Sequence, residues 1–260
     1  MSEPCDFRAQ LQVASQPAEN PSSVYLVLSG TSAAKPVQHF YATDGLTALP
    51  LFQGTQYAGW HEVMPFLVQV TDTSEFLDWI GETDSVDWGW GLVSDASLEE
   101  VFGHIRSLTK IVLPDGKEVF FRYWDARYLG AILSGVDDIC RARLMGPAHA
   151  VVLPDGKVTH HPGTPDHSTS PPEFPWFSLP AETLEKIAVL CWECLVDNTI
   201  SALSKKKHSP LNQYPQPIAR QKVERHLRRL TGGEVVTELS SEHVQTIHNA
   251  LLREAPKGVH

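Results

Sequence analysis

The sequence predicts an α/β fold, a mixed sheet with flanking helices followed by a small C-terminal helical region. Three observations carry that expectation. Short β-branched apolar runs, SVYLVLS at 23–29 and PFLVQV at 65–70, are of the kind buried in a sheet. WGWGLVSDASLEEVFGHIRSL, at 88–108, reads as a strand from Trp88 to Val93 and then a helix, with Leu98, Val101, Phe102, Ile105 and Leu108 on one stripe. A composition break at PGTPDHSTSPPEFP (162–175), with five prolines in fourteen residues, precedes purely helical periodicity.

These observations divide the chain into a loose polar arm at 1–22, an α/β domain at 23–165, a Pro-rich linker at 166–178 and a helical region at 179–260. Within the α/β domain, YATDGLTALPLF (41–52) reads as a strand end, a turn at Asp44-Gly45 and a short helix. SEFLDWIG (74–81) is helical, capped by Ser74 and closed by Gly81, and Ser97 with Glu100 forms a capping box. KIVLPDGKEVFFRYW holds two apolar runs joined by hairpin turn chemistry, and VVLPDGKVTH at 151–160 is a near copy of its turn. Nothing around the two copies repeats, so they are two similar turns rather than a duplicated domain. In the helical region, Leu184, Ile187, Ala188, Cys191, Cys194, Leu195 and Ala202 form one stripe. Val223, His226, Leu227 and Leu230 form a second, and Val244, Ile247 and Leu251 a third.

With 260 residues and 42% hydrophobic content the chain can bury a sizeable core. MSEPCDFRAQ lacks the basic and apolar regions of a secretory leader, and no run approaches the roughly 20 apolar residues of a membrane span, so the expected location is the cytoplasm. Four cysteines without small-domain spacing fit a reducing compartment. The net charge of -10 is uneven: nine acids and no Lys or Arg lie between Asp72 and Glu100, whereas eight Lys or Arg and one acid lie between Leu203 and Arg229. The basic stretch is either a solvated helical face or a grip for an acidic partner, with Arg225, Arg228 and Arg229 as the candidate contact. The acidic remainder argues against a dedicated nucleic-acid binder.

KEVFFRYWDARYLG (117–130) is the most informative stretch. On a strand from Glu118 to Trp124 both faces are mainly apolar, which predicts a central strand. Asp125 then falls at a helix N-cap, with Leu129, Ile132 and Leu133 on that helix's inner face. Arg127 in the first turn opposes the helix dipole and requires a carboxylate or a ligand, as does Arg122 if buried. Asp44, Asp87 and Asp95 are all candidate partners. An internal ion-pair network and a partner-binding surface of aromatics and arginine both satisfy this composition.

Catalytic motifs are sparse. Cys191-Trp-Glu-Cys194 puts both sulfurs on the apolar stripe of a helix, where core packing explains them better than a metal or redox role. His160, His161 and His167, with Asp155 and Asp166, could hold a transition metal, but the spacing matches no standard ligand pattern. Ser32-Ala-Ala-Lys35 matches SxxK without its companion motifs. No G-x-S-x-G, Walker loop, G-x-G-x-x-G or H-E-x-x-H occurs.

The order of motifs nevertheless has a parallel. Tyr41-Ala-Thr-Asp44-Gly45, Pro65-Phe-Leu-Val, Trp79-Ile, Trp88-Gly89 with Gly91-Leu-Val-Ser94, His104-Ile-Arg106-Ser-Leu, Phe121-Arg122-Tyr-Trp-Asp125-Ala-Arg127-Tyr-Leu and Met145-Gly146-Pro147, spanning about 24–165, resemble the effector-chaperone or adaptor domain of bacterial type VI secretion systems. The resemblance implies a protein with no catalytic residue, metal or cofactor, which binds a toxic effector in the cytoplasm and loads it onto the VgrG spike protein. It also implies that Asp44, Trp88, Ser94, Arg106, Arg122, Asp125 and Arg127 are recurrent positions that maintain the fold or bind a partner. Thr43 and Ala126 depart from the family pattern. The competing expectations are a small metal-dependent hydrolase built on His160, His161 and Asp166, and a basic-tailed nucleic-acid binder. Trp60, Trp88, Trp90 and Trp176 are the aromatics expected at a contact surface.

Overall fold

The apolar runs around Leu26 and Val68 become neighbouring strands because their side chains, β-branched or leucine, fill both sides of a sheet. A computed structural model describes residues 6–15, 21–45, 47–165, 174–206, 209–232 and 239–254. Its contacts divide the chain into two units, Met1–Leu184 and Glu185–His260.

The first unit is mixed α/β. It begins with α1 (Phe7–Ala14) and β1 (Ser23–Leu28), then α2 (Pro36–Thr43), a short β2 (Leu49–Pro50), β3 (Phe66–Val70) and α3 (Phe76–Glu82). β4 (Gly89–Ser94) leads into α4 (Leu98–Ser107), followed by the hairpin of β5 (Lys110–Val112) and β6 (Glu118–Phe120). Then come α5 (Ala126–Gly135), α6 (Asp138–Met145) and a second hairpin, β7 (Ala150–Val152) with β8 (Val158–His160). The main sheet has six strands in the order β2-β3-β1-β4-β7-β8, and each of these neighbouring pairs is antiparallel. β1 is central, with Leu26 facing Val68 on one side and Gly91 on the other.

Several expectations are corrected. The first 22 residues are not wholly a loose arm: Phe7 and Leu11 of α1 are buried, and Phe7 meets Trp88 edge to face at 5.1 Å. Gly91 allows this contact, because a Cβ there would stand 3.0 Å from Phe7 and 3.1 Å from Leu11. Tyr41 lies in α2 rather than at a strand end, and 41–52 supplies a helix end, a turn and β2. α3 is not capped by Ser74. Asp44 accepts the Phe76 N–H at 3.0 Å and the Ser74 hydroxyl, so the cap comes from the end of α2. The capping box of Ser97 and Glu100 forms as expected on α4.

The two PDG turns are alike in detail. Leu113 donates to the Lys117 carbonyl at 2.8 Å and Leu153 to that of Lys157 at 3.0 Å, while Asp115 and Asp155 accept from the Lys117 and Lys157 N–H groups at 3.1 and 3.0 Å. Gly116 and Gly156 take φ of +83° and +76°, which glycine adopts without a side-chain clash. The expected central strand at 118–124 is a correction: β6 ends at Phe120 and belongs to a two-stranded sheet. Trp90 Nε1 donates to the Tyr123 carbonyl at 2.7 Å and the Asp125 N–H donates to the Arg122 carbonyl, so this backbone is spent in a turn instead of a ladder. The Pro-rich linker does not extend to 178. Val112 and Leu179 N–H groups donate to the Phe177 and Val112 carbonyls at 2.9 and 2.8 Å, laying this end of the segment beside β5. Residues 166–173 lie outside the described residues.

The second unit is helical. α7 (Ala181–Ser204) crosses the boundary, and α8 (Gln216–Thr231) and α9 (Ser241–Glu254) follow. Val196, Leu203, Val223, Leu227, Ile247 and Leu251 form its core, whereas Leu230, expected on the inner stripe, is exposed. By length and composition α7 is apolar enough to cross a membrane, with a mean hydropathy of 1.3 over its best window, more than the sequence reading allowed. Its Glu193 and Asp197 both pair with Arg220 of α8, Asp197 at 2.5 Å, an arrangement in which the helix serves as a bundle member. Cys191 is half-buried, and the side chain of Cys194 lies outside the described residues.

Candidate functional site

The residues singled out by sequence fall into separate places. Asp125, buried at the start of α5, gathers Arg122 and Arg127 about itself: its oxygens accept from Arg127 Nε at 2.9 Å and Nη2 at 2.7 Å, and Arg122 Nη2 stands 3.5 Å away. The same carboxylate accepts the Arg127 N–H at 3.1 Å and so caps the helix. The needed partner is therefore Asp125 itself, rather than Asp44, Asp87 or Asp95. The bonds to Asp125 raise the Arg127 guanidinium above its usual range, with a smaller contribution from Asp87. Asp87 in turn accepts the hydroxyls of Ser32 and Ser85, each at 2.8 Å, so the Ser32-to-Lys35 match is loop scaffolding.

Asp44 is spent on α3. Trp88, immediately before β4, and Trp90, on β4, are buried, a correction to their expected exposure, because both face into the core. Ser94 donates to the Pro147 carbonyl at 2.5 Å and accepts from the Ala96 N–H at 3.1 Å, tying the end of β4 to the loop before β7. Asp95 lies 2.8 Å from Nε2 of His149, at the same end of the sheet.

Arg106 has a different setting. It sits in the last turn of α4 and lines an open groove of about 560 Å³ with Thr55, Gln56, Tyr57, Thr109 and Phe174. The groove continues into an aromatic shelf. Tyr57 meets Phe120 at 4.8 Å and Trp60 at 5.4 Å, and Trp60 meets Phe120 at 4.8 Å. Trp60 is 46% exposed and Phe174 47%. Lys110 rests over the Phe120 ring at 5.8 Å and pairs with Glu118 at 3.2 Å. Shelf and groove lie on rigid supports: Phe52 and Trp124, both buried, pack edge to face at 5.9 Å, and Phe52 also packs against Tyr57. Trp176, expected as a contact aromatic, is half-buried, donates to Ser107 at 2.9 Å and carries Arg143 over its ring at 5.2 Å. Sequence reasoning found Trp60 and Arg106 but missed Tyr57, Phe120 and Phe174. The spacing of Tyr57 and Trp60 in the polar run QGTQYAGWHE was the available signal.

The histidine cluster is not assembled. His160 is exposed, and His161 accepts from the Gly163 N–H at 3.1 Å through Nδ1 while its Nε2 faces the Ala142 carbonyl at 3.3 Å. These bonds occupy both nitrogens of a neutral ring. Asp166 and His167 lie outside the described residues, and among the described residues no group of three or more His, Cys, Asp or Glu is placed to hold a metal.

On α8, Arg225 binds Glu254, Arg228 covers the Trp192 ring at 5.4 Å, and Arg229 is exposed. Lys222 also binds Glu254, at 2.9 Å, and His226 Nε2 stands 3.2 Å from it, too poorly aligned for a hydrogen bond. Burial outweighs that carboxylate and lowers the His226 pKa from 6.5, while Lys222 first, then Arg225, lower that of Glu254. Both groups are depressed on folding, so each contributes stability that is full above its unfolded pKa and lost as pH falls through its folded pKa. The helical unit is expected to weaken on acidification from about pH 6.5 downward, and His226→Gln to flatten the upper part of that decline in circular dichroism melts. A decline of unchanged shape in this variant would assign it to other groups.

Comparison with known proteins bears on the first unit. Residues 24–143 match the family model of a domain of unknown function, DUF4123. No curated protein and no solved structure matches the chain. The DUF4123 segment covers just under half of the sequence and includes Asp44, Trp88, Ser94, Arg106, Arg122, Asp125 and Arg127. It also contains the aromatic shelf and every groove residue named above except Phe174.

Proposed function

We propose that this chain is a non-enzymatic adaptor of a type VI secretion system, which holds a toxic effector in the cytoplasm and loads it onto the VgrG spike protein without a metal or cofactor. The observation that carries the reading is the match of residues 24–143 to DUF4123, a family linked in general to type VI effector adaptors. The geometry supports it. An open groove with exposed Phe174, beside a shelf with exposed Trp60 and an arginine on a rigid helix, has the composition of a protein-binding hot spot. The Asp125 network is, by contrast, an internal support. Arg225, Arg228 and Arg229 form a second, basic surface suited to an acidic partner, with Arg229 the most available.

Affinity purification from the bacterium that encodes the protein, with mass spectrometry of what stays bound, tests this. Recovery of one toxin-like protein together with VgrG is the expected result. Recovery of neither, from folded protein, overturns the adaptor role. Repeating the purification with Arg229→Glu tests the basic surface, since undiminished recovery of both partners would remove it.

A further inference from the structure

We propose that the groove beside Arg106 receives an extended polypeptide segment in which a carboxylate adjoins an aromatic or proline side chain. The inference rests on the adaptor reading for its setting and adds the chemistry of what docks.

Its first support is the distribution of hydrogen-bond donors. Thr55 donates its hydroxyl to the Phe52 carbonyl at 2.7 Å, Ser107 to that of His104 at 2.6 Å, and Thr109 to that of Arg106 at 2.6 Å. Gln56 donates to the Tyr57 hydroxyl at 2.7 Å. The Thr55, Ser107 and Thr109 hydroxyls are thus spent as donors, and the Tyr57 hydroxyl serves as an acceptor. Arg106 differs: among the described residues it pairs with no carboxylate, and its guanidinium lies over the Phe102 ring at 5.9 Å. Arg106 is half-buried, and a guanidinium offers up to five N–H groups in a planar fork, which a carboxylate satisfies in two parallel bonds. The position also suits a cation, because the last turn of α4 is the negative end of the helix dipole.

The second support is the apolar wall. Tyr57 and Phe174 line the groove and Trp60 extends it, so a carboxylate bound at Arg106 has aromatic faces beside it. Tryptophan and tyrosine rings supply contact area at low conformational cost, and proline or an aromatic stacks on them. A volume of about 560 Å³ suits a few side chains of a peptide rather than a folded domain surface. In a chain of net charge -10, the Arg106 cation in the groove sets specificity for a local carboxylate rather than long-range attraction.

The test uses the full chain and two fluorescein-labelled peptides with Gly-Ser flanks, one centred on Glu-Phe-Pro and one on Gln-Phe-Pro, read by fluorescence polarisation. The glutamate peptide is expected to bind saturably and the glutamine peptide about tenfold more weakly. Arg106→Gln is expected to abolish that difference and Arg106→Lys to keep part of it. Trp60→Ala is expected to weaken both peptides alike. Equal binding of the two peptides, no saturable binding, or discrimination that survives Arg106→Gln in a variant that melts like the parent overturns the inference. Effector recovery with the parent chain alongside a failed peptide test removes this inference and leaves the adaptor role standing. Peptide discrimination without any recovered effector does the reverse.

Discussion

Replacing Asp125 by alanine is expected to remove about 3 kcal/mol of stability from the first unit, read as a lower urea midpoint at unchanged slope. Asp125 is 1% exposed, and three functions end with it. The cap of α5 is lost, which alone costs about 1 kcal/mol. Arg127 loses both bonds of its bidentate pair, and Arg122 loses its neighbour at 3.5 Å. The loss stays at the lower end of the range for broken buried pairs, because the Arg127 side chain is 47% exposed and water resolvates it. Asp125→Asn retains an oxygen at the cap and should lose roughly half as much. A midpoint for Asp125→Ala within about 0.5 kcal/mol of the parent would show that the arginines gain nothing from this carboxylate.

Trp90→Ala is expected to cost about 3–5 kcal/mol, the range for emptying the space of a large buried aromatic. Trp90 is 2% exposed on β4, beside central β1, and its indole N–H donates to the Tyr123 carbonyl at 2.7 Å. Alanine leaves both a cavity and an orphaned carbonyl, whereas Trp90→Phe keeps most of the apolar area and should cost about 1–3 kcal/mol. Trp60→Ala, at an exposed shelf position, should stay within about 1 kcal/mol of the parent while weakening binding. Thermal melts of the three variants separate the core tryptophan from the surface one. A Trp90→Ala melt close to that of Trp60→Ala would place Trp90 outside the cooperative core.

Much of the fold was legible because its signals are local. The capping box of Ser97 and Glu100, the two PDG turns, the stripe on α4 and the Asp125 cap each depend on residues within a few positions of one another. Two kinds of feature were not. Phe7 and Leu11 look like stray apolar residues in a polar segment, and only their place over Gly91 makes them core. Val119 to Trp124 has strand composition throughout, yet Trp90 and the turn at Arg122 claim its backbone, so the ladder stops at Phe120. The candidate site divides the same way. Arg106 and Trp60 were visible as types, but the groove joins Tyr57 to Phe174 and the shelf joins Tyr57 to Phe120, residues far apart in the chain.

The sequence by itself determined the alternation of strands and helices, the turn chemistry and the helix caps, because backbone sterics and hydrogen bonding between near neighbours fix these. It also carried the segment, residues 24–143, that matches the DUF4123 family model. Only the tertiary structure decided which charges serve the fold and which face outward. Asp44 caps a helix that begins 32 residues later, and Asp125 holds Arg127 in a bidentate pair with Arg122 3.5 Å away, while Arg106 remains without a carboxylate among the described residues. The reason is physical: the cost of a charge depends on its burial and on the partners brought within a few ångströms, and chain folding sets both.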